Sequence, residues 1–437
     1  MLVLFSVKNF KTFKDKAVLN LVASNYEKSE DLEGEPLHTD SQFNLKILKS
    51  AVVYGANASG KTKLVEALGF MKRFVLDNHS VKGQPIPVTP FRLNTETESA
   101  PSEFEVAFIH NKVLYRYGFE ADSERICAEW LYYRPKTKEI ELFYRELQEF
   151  ETHARNFPKG NLVIKQELVA ENALLLAVAA QFNDDICNQV MEWFGTLKVI
   201  SGANEERYKA YTMKQTQIPD RKRKILELLN AADLGIEDVQ LKKMNADQLP
   251  PDLRDIIFQK MANAGSEAMS GVETTHKKRD SSGQFVEHVQ FSMEEDESNG
   301  TEKFYILAGP ILDVLENGYT LVVDELDAKL HSNLVARLVS LFHSNALNPK
   351  NAQLIFNTHD TNLLSADLFR RDQIWFTEKN RYGEAELFSL ADFKSADGVR
   401  KNEAYEKNYL RGKYGAVPFL GSFRYLTELV SSDNRID

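Results

Sequence analysis

Cysteine is nearly absent. The 437 residues contain two, Cys127 and Cys187, with no CxxC spacing, so neither a disulfide framework nor a thiolate metal centre is indicated. Both are expected to be buried thiols. Long apolar runs are missing too. The longest, ALLLAVAAQF at 173–182, falls well short of the roughly 20 residues that a membrane-crossing helix needs, so no span and no membrane partner are expected. The N-terminal MLVLFSVKNFKTFKDK has no basic stretch ahead of its apolar residues and no small-residue cleavage site. It does not read as a secretory signal, and a cytoplasmic location is expected. Excess positive charge is the third absence. With 54 Lys and Arg against 64 Asp and Glu, a net charge of −10, the chain is not built to coat nucleic acid, and any such contact must be local. The short basic runs RKRK at 221–224 and HKKR at 276–279 are the places for it, although such runs are commonly solvated faces.

What remains is an ordinary globular composition, 43% hydrophobic and 27% charged, in a chain long enough for two lobes. Residues 2–8 and 17–23 read as a strand pair, followed by a polar loop over 24–44. ILKSAVVYG at 47–55 suits a buried strand ending in Gly, and residues 61–76 carry helical spacing. Alternating segments between 103 and 148 predict an antiparallel sheet, and 171–194 predicts helix. Residues 201–282 are polar, charged and helix-prone in places, and end in TTHKKRDSSG, which reads as an exposed turn or loop. Beyond it, QFVEHVQFSM, YTLVVDE, QLIFNTHD and DQIWFTE alternate with helical stretches at 302–316 and 329–345. That recurrence predicts a mostly parallel sheet covered by helices. The expected organisation is an α/β protein with an N-terminal lobe over 1–200, a helical, charged insertion over 201–284 and a C-terminal lobe over 285–437.

GANASGKT at 55–62 fits the phosphate-loop pattern of Gly, four residues, then Gly-Lys-Ser/Thr, and lies between strand and helix as that pattern requires. A polyphosphate needs many N–H donors at close range. The small residues Gly55, Ala56, Ala58, Ser59 and Gly60, with Asn57 among them, let the backbone wrap it, and the helix N-terminus adds a positive dipole end. Lys61 is the candidate for the terminal phosphates, and Thr62 offers a hydroxyl to magnesium. TLVVDEL places Asp324 and Glu325 at the end of an apolar strand, 263 positions after Lys61. In a parallel sheet that end opens on the ligand crevice. Asp324 is the candidate magnesium ligand and Glu325 the candidate general base. The bland alternative makes both acids a helix cap and first-turn charge.

DESNGTEK at 296–303 begins the resemblance to a family. Ser298 and Gly300, opening a helix just before the two-acid strand, resemble the signature loop of ABC-type ATPases, within the group that includes SMC, RecF and OLD proteins. LDAKLH at 326–331 is similar to the loop that crosses the subunit interface in that class, with Leu330 and His331 as in RecF-like members, and QLIFNTHD to the strand that carries its switch histidine, here His359. With VVDELDAKLH, DQIWFTEK, YLRGKYGAVPFL and the N-terminal FSVKNFKTFKD, the chain resembles standalone ATPases of bacterial anti-phage systems, including RloA or AbiLi-like proteins and relatives in the Septu and PARIS systems. The resemblance covers about 1–120 and 285–422 and leaves 201–282 unplaced; no Gln loop is assigned, Gln84 lying in no recognisable context. It implies an ABC-type head with ATP and magnesium as cofactors. The catalytic group would be Glu325, His359 and Lys61. A head-to-tail homodimer or higher oligomer would let Ser298 and Gly300 of one subunit meet the γ-phosphate held by Lys61 of another.

The resemblance further implies a separate effector, a Toprim-type or HNH nuclease, with DNA or a phage-derived molecule as trigger, because only 78 residues follow His359 and they hold no HNH pattern or two-metal acid cluster. The competing reading is a RecF-like DNA-repair ATPase without a toxic partner. A transporter ATPase fits less well, since Ser298 follows Lys61 by 237 positions. A GTPase would need Asn-Lys-x-Asp where NKVL stands at 111–114, and a kinase would leave the signature and His359 unexplained.

Overall fold

A computed structural model describes residues 1–24, 34–77, 83–243, 269–393 and 403–418. Its architecture follows from β5 (Ser50–Gly55), which is buried at all six positions. Successive strand residues point to opposite faces. Ala51 and Val53 accordingly enter one apolar cluster, and Val52 and Tyr54 the other. A strand covered on both faces needs no polar side, which is why the sequence there is a near-continuous apolar run. Around it the order is β11 (Lys198–Ile200), β15 (Thr320–Val323), β16 (Gln353–Asn357), β5, β17 (Ile374–Lys379) and β18 (Ala385–Ser389). All neighbours are parallel except β17 and β18.

One face of this sheet is covered through α1 (Lys61–Asp77), α3 (Leu175–Gln181), α4 (Asp185–Thr196) and a second, antiparallel sheet. That sheet runs β10 (Glu149–Thr152), β9 (Ile140–Glu146), β8 (Ile126–Arg134), β7 (Val113–Ala121), β6 (Ser102–His110), β1 (Leu2–Lys8) and β2 (Ala17–Asn20). Gln353 fastens the two sheets: its amide accepts from Leu2 N at 2.6 Å and donates to Leu2 O at 2.9 Å and Leu48 O at 3.0 Å. The short α2 (Pro158–Lys165) packs beside α3, and β3 (Leu37–Asp40) pairs with β4 (Leu45–Leu48).

The opposite face packs on α7 (Asn299–Asn317), α8 (Ser332–His343) and α9 (Tyr405–Leu410), with α5 (Glu205–Thr216) and α6 (Pro219–Ala231) outside α7. Pro310 sits inside α7 and has no N–H to give the carbonyl four residues earlier. The Thr212 hydroxyl of α5 donates to that carbonyl, Ile306 O, at 2.9 Å. Close approach is possible because a Cβ at Gly309 would lie 2.4 Å from Thr212 Oγ1.

The α/β fold, the antiparallel N-terminal portion and the parallel sheet match expectation; four details differ. The stretch 24–44 reads as a loop, yet β3 lies within it. The run 47–55 is two strands, β4 and β5, broken at Lys49. Among the described residues, the region 201–284 is helical through α6. It then forms β12 (Asp238–Lys243) and β13 (Met269–Arg279), which join β14 (Phe285–Ser292) in a three-stranded antiparallel sheet. QFVEHVQFSM therefore belongs to this sheet and not to the parallel one. TTHKKR is strand because Val272 and Thr274 alternate inward, beneath an outer face polar enough to read as loop; the turn itself is confined to Asp280–Gln284. Residues 244–268 of the insertion lie outside the described residues. Finally, Cys187 is buried as expected, but Cys127 is only half-buried, its thiol donating to Asp122 at 3.6 Å. No helix among the described residues is long and apolar enough to cross a membrane.

Candidate functional site

The phosphate loop leaves the C-terminal end of β5 and enters α1. Gly55 has φ +154°, and a Cβ there would lie 2.4 Å from Thr377 O and 2.5 Å from Ser59 Oγ. Glycine is thus required by the close approach of β17. Ser59 Oγ and Thr377 Oγ1 lie 2.6 Å apart and brace the loop from inside. Gly60 at φ +126° and Ala58 at +61° complete the turn, and Asn57 and Ala58 are exposed while Ala56 is half-buried. Lys61 is 5% exposed, and its amine donates to Gly55 O at 2.8 Å and Ala56 O at 3.0 Å. Burial pulls its pKa from 10.5 to about 8, and the charges of Glu325, Asp324 and Asp327 push partly the other way. A cation resting on neutral carbonyls, at a helix start, inside a loop where side chains do not fit, suits a polyphosphate.

The two acids stand one strand beyond β16 from this loop. β15 is buried throughout, and Asp324 N donates to Ile200 O at 2.8 Å, continuing the ladder onto β11. Glu325 then turns out at φ +52°, a left-handed conformation that costs a non-glycine residue about 1 kcal/mol. Asn357, at the end of β16 and 1% exposed, holds both. Its Nδ2 donates to Asp324 Oδ1 at 2.5 Å and its Oδ1 accepts from Glu325 N at 2.6 Å. One Asp324 oxygen remains available for a cation, and Glu325 projects into solvent. His359, two residues past Asn357, is exposed, with its backbone N donating to Asp327 Oδ2 at 3.1 Å. Lys61, Thr62, Asp324, Glu325 and His359 thus come after three adjacent parallel strands at one edge of the sheet. Among the described residues no three His, Cys, Asp or Glu side chains are grouped to hold a metal. Thr62 and Asp324 are the residues that could hold a magnesium ion at this edge, an ion that commonly takes few protein ligands and leaves the rest to phosphate oxygens and water.

Ser298 and Gly300 open α7. Ser298 does cap it, accepting from Thr301 N at 3.0 Å, and is itself exposed. Among the described residues no hydrogen bond joins either residue to the phosphate loop of the same chain. Gly300 faces the loop after the two acids, where a Cβ would lie 2.5 Å from Lys329 O. His331 caps α8, its Nδ1 accepting from Asn333 N at 3.1 Å. The signature-like turn and the loop behind Glu325 are therefore one packed unit.

Residues 50–365, well over half of the chain, match the model of the family described as "AAA domain, putative AbiEii toxin, Type IV TA system". The chain belongs to this AAA family. Among solved structures it is similar to the SMC head domain from Thermotoga maritima, at 12% identity and a TM-score of 0.37, over 89% of this chain and 98% of that one. No curated protein matches it.

Sequence reasoning missed three parts of this AAA site. Asn357 lay inside QLIFNTHD, but nothing in the pattern distinguished it from the strand residues before it. Thr377 of DQIWFTEK braces the phosphate loop from β17. Asp327 holds the turn to His359 with one oxygen, while its Oδ1 is buried without a partner. The basic runs are less available than they looked. Arg221, Lys222, Arg223 and Lys224 meet Glu316, Asp238 and Asp220, and His276, Lys277 and Lys278 meet Glu297, Glu237 and Glu287.

Proposed function

We propose that this chain is a magnesium-dependent ATPase whose site is completed by a second copy, and that the ATP-bound pair controls a separate nuclease-type effector in defence against phage. The observation that carries the reading is the division of labour at the sheet edge. One chain holds Lys61, Thr62, Asp324, Glu325 and His359 together, while its exposed Ser298 turn is free to meet another chain. When bound, magnesium neutralises phosphate charge and orients the γ-phosphate for displacement. Lys61 exchanges its two carbonyl partners for phosphate oxygens. Glu325 takes the proton of the attacking water, and His359 hydrogen-bonds the γ-phosphate. Ser298 and the N–H groups at Gly300 of the partner add donors at the far side of that phosphate. Turnover is slow because two chains must close before water, base and phosphate align. The defence role is supported by the family description, which names a toxin of a toxin–antitoxin system.

The decisive experiment is Glu325→Gln with ATP and magnesium, followed by light scattering. The expected result is a doubling of mass. ATP binding without any change in mass overturns the shared site. For the effector, the purified chain alone should not cleave DNA; metal-dependent cleavage lost on mutation of this chain's own site would overturn that part.

A further inference from the structure

A cavity of about 430 Å³ lies between the far half of α1, the edge strand β11 and the start of α5. Lys72, Arg73, Lys198 and Arg207 line it, Tyr208 and Tyr211 form its aromatic side, and none of its lining residues is acidic. Of the four cations, Lys198 alone makes an ion pair among the described residues, with Asp313 at 3.0 Å. Lys72 donates to the backbone oxygen of Leu197, while Arg73 and Arg207 are exposed and make no ion pair among the described residues. Burial and the three neighbouring cations lower the Lys72 pKa to about 8, with Asp77 opposing them. Three of these cations, Lys72, Arg73 and Arg207, face one concave space with no ion pair of their own among the described residues, an arrangement that favours a bound anion. The volume falls within the ordinary range of small-molecule sites. Lys72 is three turns along α1 from Lys61, roughly 16 Å at helical rise, so the cavity is not part of the phosphate loop. We infer that it binds a small phosphate-bearing ligand with an aromatic ring, of the nucleotide class, its phosphates on Lys72, Arg73 and Arg207 and its ring against Tyr208 and Tyr211.

The test uses the full chain carrying Lys61→Ala, in EDTA, titrated calorimetrically with ADP, with inorganic pyrophosphate and with a short single-stranded DNA. ADP should bind at one site, more tightly than pyrophosphate because the ring contributes. Adding Arg73→Glu and Arg207→Glu should weaken ADP by at least about ten-fold, each change removing a charged hydrogen bond. These two side chains are exposed, so folding should survive; in the Lys61 background the same double variant should keep its ADP binding at the phosphate loop. No ADP binding to the Lys61→Ala chain, or binding indifferent to the charge reversal, overturns the inference. DNA binding more tightly than ADP, and lost on charge reversal, also overturns it by assigning the cavity to a strand backbone. Because the charge reversal reads the cavity directly, ADP affinity that Lys61→Ala leaves at its native value and charge reversal leaves unmoved would count against the phosphate-loop assignment as well.

Discussion

Asn357→Ala should damage turnover far more than nucleotide binding. The native amide makes two hydrogen bonds, at 2.5 Å to Asp324 Oδ1 and at 2.6 Å to Glu325 N. A bond to a carboxylate contributes about 1.5–3 kcal/mol and a neutral one about 1 kcal/mol. Glu325 is exposed, so water replaces part of what is lost, and the expected fall in folding stability is about 2 kcal/mol in urea titrations. The kinetic effect is larger. Without Asn357, Asp324 loses the partner that fixes its carboxylate, and Glu325 can leave its left-handed turn. Removing such a support for a metal ligand typically costs about 10–100-fold, so phosphate release should fall by that factor and require more magnesium. ATP affinity in EDTA should stay near native, since the side-chain hydrogen bonds of Asn357 go to the two acids and not to the phosphate loop. Asn357→Asp places a carboxylate against Asp324. It should be worse than alanine, because two acids then crowd one place. A folded Asn357→Ala chain with native turnover and native magnesium dependence would refute the claim that this amide positions both acids.

Gly300→Ala should abolish ATP-dependent association but not ATP binding, because its Cβ, 2.5 Å from Lys329 O, displaces backbone at the turn; unchanged association by light scattering would sink this. Gly55→Ala should cost about 3 kcal/mol, an overpacked site at a strained φ, and remove ATP binding, as read by thermal melting and calorimetry. Lys61 makes the unliganded protein pH-sensitive in a defined direction. Its folded pKa of about 8 lies below the ordinary 10.5, so the unfolded chain binds more protons between those values and this residue's contribution to stability rises with pH across that window. Phosphate restores its charge, so ATP binding should take up a proton above about pH 8 and weaken as pH climbs. Calorimetry in two buffers of different ionisation heat reads that uptake, and its absence near pH 9 would contradict the burial argument.

The parts of the site made by short-range rules were legible in the sequence. A buried parallel strand announces itself as an apolar run, so β5, β15 and β16 were found together with the loop after each, because the C-terminal edge of such a sheet is where its loops meet. The phosphate loop needs small residues for close approach, and those residues are adjacent in sequence. Asn357 and Thr377 were hidden for the opposite reason: each acts across the sheet, on residues 32 and 318 positions away, and a polar residue at the end of an apolar strand has no pattern of its own. The three-stranded sheet was missed because its inward side is only a few residues, Val272, Thr274 and Val239, each buried, while its outer face carries the charges that read as loop. The same sheet reaches the Ser298 turn, His276 meeting Glu297 at 2.6 Å, one residue before Ser298. A segment that looked like an independent insertion is thus anchored directly behind the turn on which the two-chain reading depends.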